Sequence, residues 1–216
     1  MTEKTPDKKQ EGKLAKKIVT KSKKIPHSPV EIVQEGNPVL RKNAALVPIE
    51  EIGSAKIKRV IADMIKALDS QHDGVGIAAP QIGHSLSIFA ISGKAMQRIE
   101  EAKNEEKNLG ELSESVAPKK IHKDMIFINP KIIKLSKEKK MMDEGCLSVR
   151  WLYGKVKRSI RATVAAYDEN GKYFERGGGG VLAHIFQHET DHLNGILFID
   201  NAVDLEEINP DEHDSE

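Results

Sequence analysis

Residues 181–193 read VLAHIFQHETDHL. Leu182, Ile185, Phe186 and Leu193 recur at the spacing of one helix face, which predicts an α-helix with that face on a core. The glycines at 177–180 just before it are expected to form a flexible break. Inside the helix, His188-Glu189-Thr190-Asp191-His192 is an H-E-x-x-H pattern. At 3.6 residues per turn the two histidines lie one turn apart on one face, so both imidazoles can reach a single divalent ion. Glu189 stands beside them, close enough to exchange a proton with water held there. His184 is one turn earlier, and a straight helix would separate it from His192 by about 12 Å, too far for one ion. Only an adjacent pair can serve. Glu189 selects His188 with His192 and leaves His184 as a neighbour.

Working outward, the segment 55–73 carries Val60, Ile61, Met64, Ile65 and Leu68 at helical spacing and predicts a second amphipathic helix. SIFAI at 87–91 is a short β-rich run. Residues 125–128 and 131–135 bracket Asn129-Pro130 and predict strand, turn, strand. The segment 160–168 alternates like a half-buried strand, and Glu169-Asn170-Gly171 turns it into a partner at 172–175. Short strands with two separated helices give an α+β class.

The chain has 216 residues, with Lys+Arg 34 against Asp+Glu 33, a net charge of +1. That near-neutrality conceals unlike ends. Residues 1–28 hold nine lysines and three acids (+6) and are expected to be a disordered head, whose alternative reading is attraction to RNA phosphates. From Asp200 to Glu216 there are eight acids and no Lys or Arg (−8). The expected division is therefore a head at 1–28, a folded domain at 29–203 with an exposed charged insertion near 94–123, and an acidic tail at 204–216. No stretch approaches the ~18 apolar residues of a membrane span, and no secretory block opens the chain. One cysteine excludes an internal disulfide framework and fits a reducing compartment.

A catalytic site usually takes three protein ligands. In the elongated pattern H-E-x-x-H-x-x-G-x-x-H, Gly195 falls correctly but Phe198 takes the place of the third histidine. A later acid would have to be Glu206 or Glu207, which lack an apolar framework in the sequence. The remaining strong ligand is Cys146, in Glu144-Gly145-Cys146-Leu147-Ser148. A lone thiol is often an ordinary buried side chain, but beside H-E-x-x-H a Cys-His-His set is a good site for Zn or Fe(II). A third segment, GVGIAAPQIG at 74–83, lacks the spacing and the lysine of a phosphate cradle. Its small residues suit backbone pressed against another chain or a ligand, with Gln81 as a neutral donor.

G-V-G-I-A-A-P-Q, E-G-C-L-S and Q-H-E-T-D-H, in this order, resemble the three signature motifs of peptide deformylase. Asn37-Pro38-Val39-Leu40-Arg41 and the continuation D-H-L-N-G at 191–195 are similar to further family segments, and the likeness covers about residues 30–200. It implies antiparallel or mixed sheets wrapped around a central helix that bears the two histidines. It also implies a metal held by Cys146, His188 and His192, Fe(II) in the cell and replaceable by Zn or Ni. Glu189 would be general base and then acid, Gln81 and the backbone N–H of Leu147 would stabilise the oxyanion, and Gly76 would offer backbone contacts to the peptide. Glu144 would pair with Arg158 behind the metal. The implied activity is removal of the formyl group from N-terminal formyl-methionine of newly made polypeptides. An apolar wall for the methionine side chain is expected from Val75, Met142, Leu147, Val181 and Ile185, which lie near the motifs.

The implied partners are N-formyl-methionyl nascent peptides, with ribosome or rRNA contact through the basic head. A monomer in a bacterial-type cytoplasm, rather than an organelle, is expected. Arg150 stands where the family commonly has proline, and the glycines at 177–180 are softer than the usual approach to the helix. Two rivals remain: an H-E-x-x-H metallopeptidase, and a non-catalytic metal-bound protein associated with the ribosome.

Overall fold

The computed structural model describes residues 30–108 and 122–208, the side chains of 103–108 excepted. The basic head, part of the charged insertion and the end of the acidic tail lie outside them. The helices are α1 (Ala55–Asp69), α2 (Gly93–Asn108) and α3 (Val181–Leu193). The strands are β1 (Gly76–Ala78), β2 (Ile88–Ile91), β3 (Met125–Leu135), β4 (Lys139–Cys146), β5 (Val149–Ser159), β6 (Arg161–Tyr167), β7 (Tyr173–Gly179) and β8 (Val203–Glu207). They form a five-stranded antiparallel sheet, β1-β2-β3-β6-β7, and a three-stranded one, β4-β5-β8. The class is α+β, as read from the sequence.

β2 explains the layering. A strand that is apolar at every position can be covered on both faces, and β2 is buried throughout. Its Ile88 and Ala90 join Ile57, Val60, Met64 and Leu68 of α1 on one side. Phe89 and Ile91 join Leu182, Ile185 and Phe186 of α3 on the other. Phe127 of β3 stacks on Phe89 at 4.4 Å and meets Phe186 edge-on at 5.5 Å, so α3 is fixed to the sheet by aromatic contact. A third cluster, Leu40, Val149, Val156, Leu197 and Phe198, lies under the smaller sheet.

α1 starts where Ser54 Oγ accepts the Ile57 N–H, and it ends at Asp69, short of the expected 73, because Ser70 turns back onto the last carbonyls. α2 is not wholly solvated. Ala95 and Met96 are buried and Ile99 packs behind them, which anchors the first turns of a charged helix.

Three other expectations are corrected. Residues 125–135 form one bulged strand instead of two around a turn. Asn129 takes the left-handed conformation (φ 51), its side-chain amide bonds both the N–H and the carbonyl of Val47, and its own N–H donates to the Ser87 carbonyl. Pro130, with no N–H to offer, sits in the resulting bulge. Glycines 177–179 are not a flexible break, for they pair with Thr163, Ala162 and Arg161. A Cβ on Gly178 would lie 2.7 Å from Leu182 Cγ and 3.0 Å from Phe186, so the missing side chain lets α3 approach β7. Finally, the boundary expected at 203/204 runs through β8, whose Glu206 and Glu207 pair with Tyr153 and Leu152 of β5. Backbone pairing holds this strand although its sequence is acidic. No helix among the described residues is long and apolar enough to cross a membrane.

Candidate active site

α3 carries its histidines on the face turned toward the β4–β5 hairpin, and the end of β4 brings up the thiol. Cys146 Sγ lies 3.2 Å from His192 Nε2. One ligand atom from each of Cys146, His188 and His192 falls within 4.8 Å of the others, close enough to converge on a single cation. The donor set has the chemistry for one: a soft thiolate and two imidazoles. Burial opposes ionisation of Cys146, but His192 and His188 outweigh it and bring the thiol down to about 5. His184 stays off this centre, with its Nε2 2.7 Å from Glu144 Oε1.

Glu144 holds the set from behind. It is 3% exposed and receives Arg158 through both oxygens, Nε at 2.6 Å and Nη2 at 3.1 Å. Its Oε2 also accepts from His188 Nδ1 at 3.0 Å, which leaves Nε2 of that ring for an ion. Arg158 reaches onward to Asp191. Burial of Glu144 is outweighed by His184, His188 and Arg158, which keep its carboxyl far below the usual range. Burial likewise disfavours the charged form of His188, yet the contacts to Cys146 and Glu144 raise its pKa well above the ordinary value.

Glu189 is 3% exposed, and its Oε2 finds no hydrogen-bond partner among the described residues. Burial pushes its carboxyl up to about 7, against the pull of His188 and His192. Such a group can take and return a proton near neutrality. Gly76 makes room for it: a Cβ there would lie 2.6 Å from Glu189 Oε1.

Gln81 is oriented by the Ala78 N–H, which donates to its Oε1 at 2.8 Å. Its Nε2 then faces Ser148 Oγ at 3.3 Å and Cys146 Sγ at 3.6 Å. Leu147 is buried in the turn between β4 and β5, where its carbonyl accepts from Gln34. These residues border a cavity of about 420 Å³ that Val75, Gly76, Met142, Leu147, Val181 and Ile185 also line. Every site residue expected from the sequence therefore borders this cavity or, for His192, lies against its thiol.

Ser148 was not singled out by sequence reasoning, although it sits in E-G-C-L-S. Fully buried, it accepts from Gln81 and donates its own N–H toward Cys146 Sγ at 3.4 Å. Asp191, inside the H-E-x-x-H, was missed as a partner of Arg158. Only its helical spacing from His188 could have signalled that it shares the histidine side of α3.

A family profile described as polypeptide deformylase matches residues 29–207. The chain is 40% identical over 174 residues to the chloroplastic/mitochondrial peptide deformylase 1A of Arabidopsis thaliana, covering 80% of this chain and 61% of that one. It thus spans about three-fifths of the length of this plant relative. A peptide deformylase of Chloroflexus aurantiacus is 42% identical over 150 residues, 69% of this chain and 73% of its own. Among solved structures, a class I type b peptide deformylase from Acinetobacter baumannii with Met-Ala-Ser bound superposes with a TM-score of 0.64 at 28% identity, covering 81% of this chain and 99% of that one. Matched motifs, shared fold and a profile running through both sheets and α3 place this chain in the polypeptide deformylase family.

Proposed function

We propose that the chain is a metal-dependent hydrolase that removes the formyl group from N-terminal formyl-methionine of newly made polypeptides and releases formate. The observation that carries this reading is the convergence of Cys146, His188 and His192 beside a buried carboxyl with an unpartnered oxygen, at one end of a partly apolar cavity. A divalent cation, Fe(II) in the cell with Zn or Ni as substitutes, would be held by those three residues and would supply Lewis acidity and a nucleophile at neutral pH.

The rest of the reaction falls to the chain. Glu189 accepts a proton as the formyl carbon is attacked and later returns it to the departing amine. Gln81 Nε2 and the Leu147 N–H meet the charge that builds on the formyl oxygen; one such donor is typically worth about 2.7–4 kcal/mol in a dry site. Gln81 suits this role because it is already aimed by Ala78 and adds no charge. Gly76, on β1 at the end of the five-stranded sheet among the described residues, offers backbone hydrogen bonds to an extended peptide. Val75, Met142, Leu147, Val181 and Ile185 receive the unbranched methionine side chain. The reading accords with the tripeptide found in the Acinetobacter relative. A metallopeptidase of the elongated pattern is disfavoured, because Phe198 is built into the core where its third ligand would stand.

The test is formate release from formyl-Met-Ala-Ser, with metal analysis of the same sample. Formate with about one metal per chain is expected, and unformylated peptide should stay intact. Internal cleavage of that peptide, or no formate after anaerobic loading with Fe(II), Ni or Co, would remove the assignment. The Gly76 contact makes a second expectation. Gly76→Ala should displace the Glu189 carboxylate and lower kcat by about 10²-fold, the usual cost of a misplacement near 1 Å. Metal content should be unchanged. A kcat within twofold of the parent would show that the carboxylate does not depend on this approach.

A further inference from the structure

The cavity has a polar outer edge that the proposed chemistry does not use. Asp73 belongs to the loop between α1 and β1, just before the Val75–Gly76 lip. Arg150 is the second residue of β5, four residues after Cys146. The two meet, with Arg150 Nη1 2.8 Å from Asp73 Oδ2, while Arg150 Nη2 donates to Gln71. One ion pair thus ties together the two walls between which a peptide would lie. The guanidinium carbon is 5.9 Å from the centre of the Trp151 ring, and Trp151 takes a left-handed backbone (φ 65), sparsely populated by bulky residues, where it lines the cavity.

We propose that Arg150 is a specificity-determining residue that reads the side chains following formyl-methionine and favours a carboxylate over an ammonium there, with Asp73 and Gln71 as positioning residues. This rests on the deformylase reading above. A guanidinium has five N–H donors in a fixed fork, and the contacts to Asp73 and Gln71 use two. Those contacts orient the fork and leave donors to spare. Successive side chains of an extended peptide alternate in direction at about 3.3 Å per residue. With methionine in the apolar part of the cavity, the next residues pass its outer edge. The other acids nearby compete weakly. Glu144 and Glu189 are buried at the metal end, and Asp143 lies opposite Lys155 in the β4–β5 register. Arg150 is itself only 23% exposed, so its field at the edge is less screened than that of a free surface arginine.

The experiment compares kcat/KM for formyl-Met-Glu-Ser, formyl-Met-Lys-Ser and formyl-Met-Ala-Ser, and for the same charges at the third position, on the metal-loaded full chain. A preference for Glu over Lys of about fivefold at low ionic strength is expected at one of these positions, the scale of a single partly exposed charge pair, and it should shrink with salt. Arg150→Ala should bring the ratio to about one, and Arg150→Lys, which keeps the charge, should hold it above one. Asp73→Asn removes the competing charge and should raise the ratio above the parent value, an opposite shift that a merely structural contact would not produce. A parental ratio of one or less at both positions, or a ratio unmoved by Arg150→Ala, overturns the inference. Absence of formate from formyl-Met-Ala-Ser would instead strike the deformylase reading.

Discussion

Glu189→Gln is expected to lower turnover of formyl-Met-Ala-Ser by about 10²–10⁴-fold while the protein keeps its metal and its fold. The two side chains have nearly the same shape, so the space that Gly76 leaves for Oε1 remains filled and α3 keeps its packing. Cys146, His188 and His192 are untouched, and none of them relies on Glu189 for a hydrogen bond among the described residues. The amide differs in one respect that matters. It cannot accept the proton that must leave the nucleophile, nor return one to the amine. Single-turnover assays beside metal analysis read both effects. A variant that retains metal and loses less than tenfold in kcat would take Glu189 out of the proton path. A variant that loses metal would mean the carboxyl supports the ligands instead.

How much of this could be read from residues alone depended on whether the signal was local. α3 was legible to the residue, because its apolar stripe and its histidines share one 3.6-residue period. α1 was legible for the same reason, apart from its last turn. The convergence of Cys146, His188 and His192 was legible because thiols and paired histidines are scarce, and the sequence holds one cysteine. What failed was the backbone chemistry supplied from afar. Asn-Pro ordinarily ends a strand, but here the strand runs on through a bulge, with the Asn129 side chain held on Val47, 82 residues away. The glycines before α3 look loose in sequence, yet they are held by β6 and by the approach of Leu182 and Phe186. β8 has only Val203 and Leu205 among its acids, both about half exposed, and it is held by backbone pairing with β5. Likewise the role of Arg150 depends on Asp73, 77 positions earlier, which no local pattern connects to it.

Glu144→Ala should have the largest effect on the ligand set without touching a ligand. Four groups depend on that carboxylate: His184, His188 and both donor arms of Arg158. Removing it leaves the buried Arg158 with Asp191 alone and frees the His188 ring from the hydrogen bond that fixes its tautomer. Breaking one side of a buried ion pair typically costs about 3–5 kcal/mol, because the remaining charge stays out of water. The retained Asp191 contact should hold this case near the lower end. Loss of the partner behind a metal-bound histidine typically weakens the metal by about 10–100-fold. Denaturant midpoints of the metal-free chain and chelator competition on the loaded chain separate the two effects. A cycle with Arg158→Met then distinguishes their origin. If the stability loss comes from the stranded guanidinium, E144A/R158M should be more stable than E144A, whereas metal affinity should stay low because His188 still lacks its acceptor. Recovery of both in the double variant would mean that Glu144 acts on the metal only through Arg158, and a normal affinity in E144A would mean that His188 is oriented by helix packing alone.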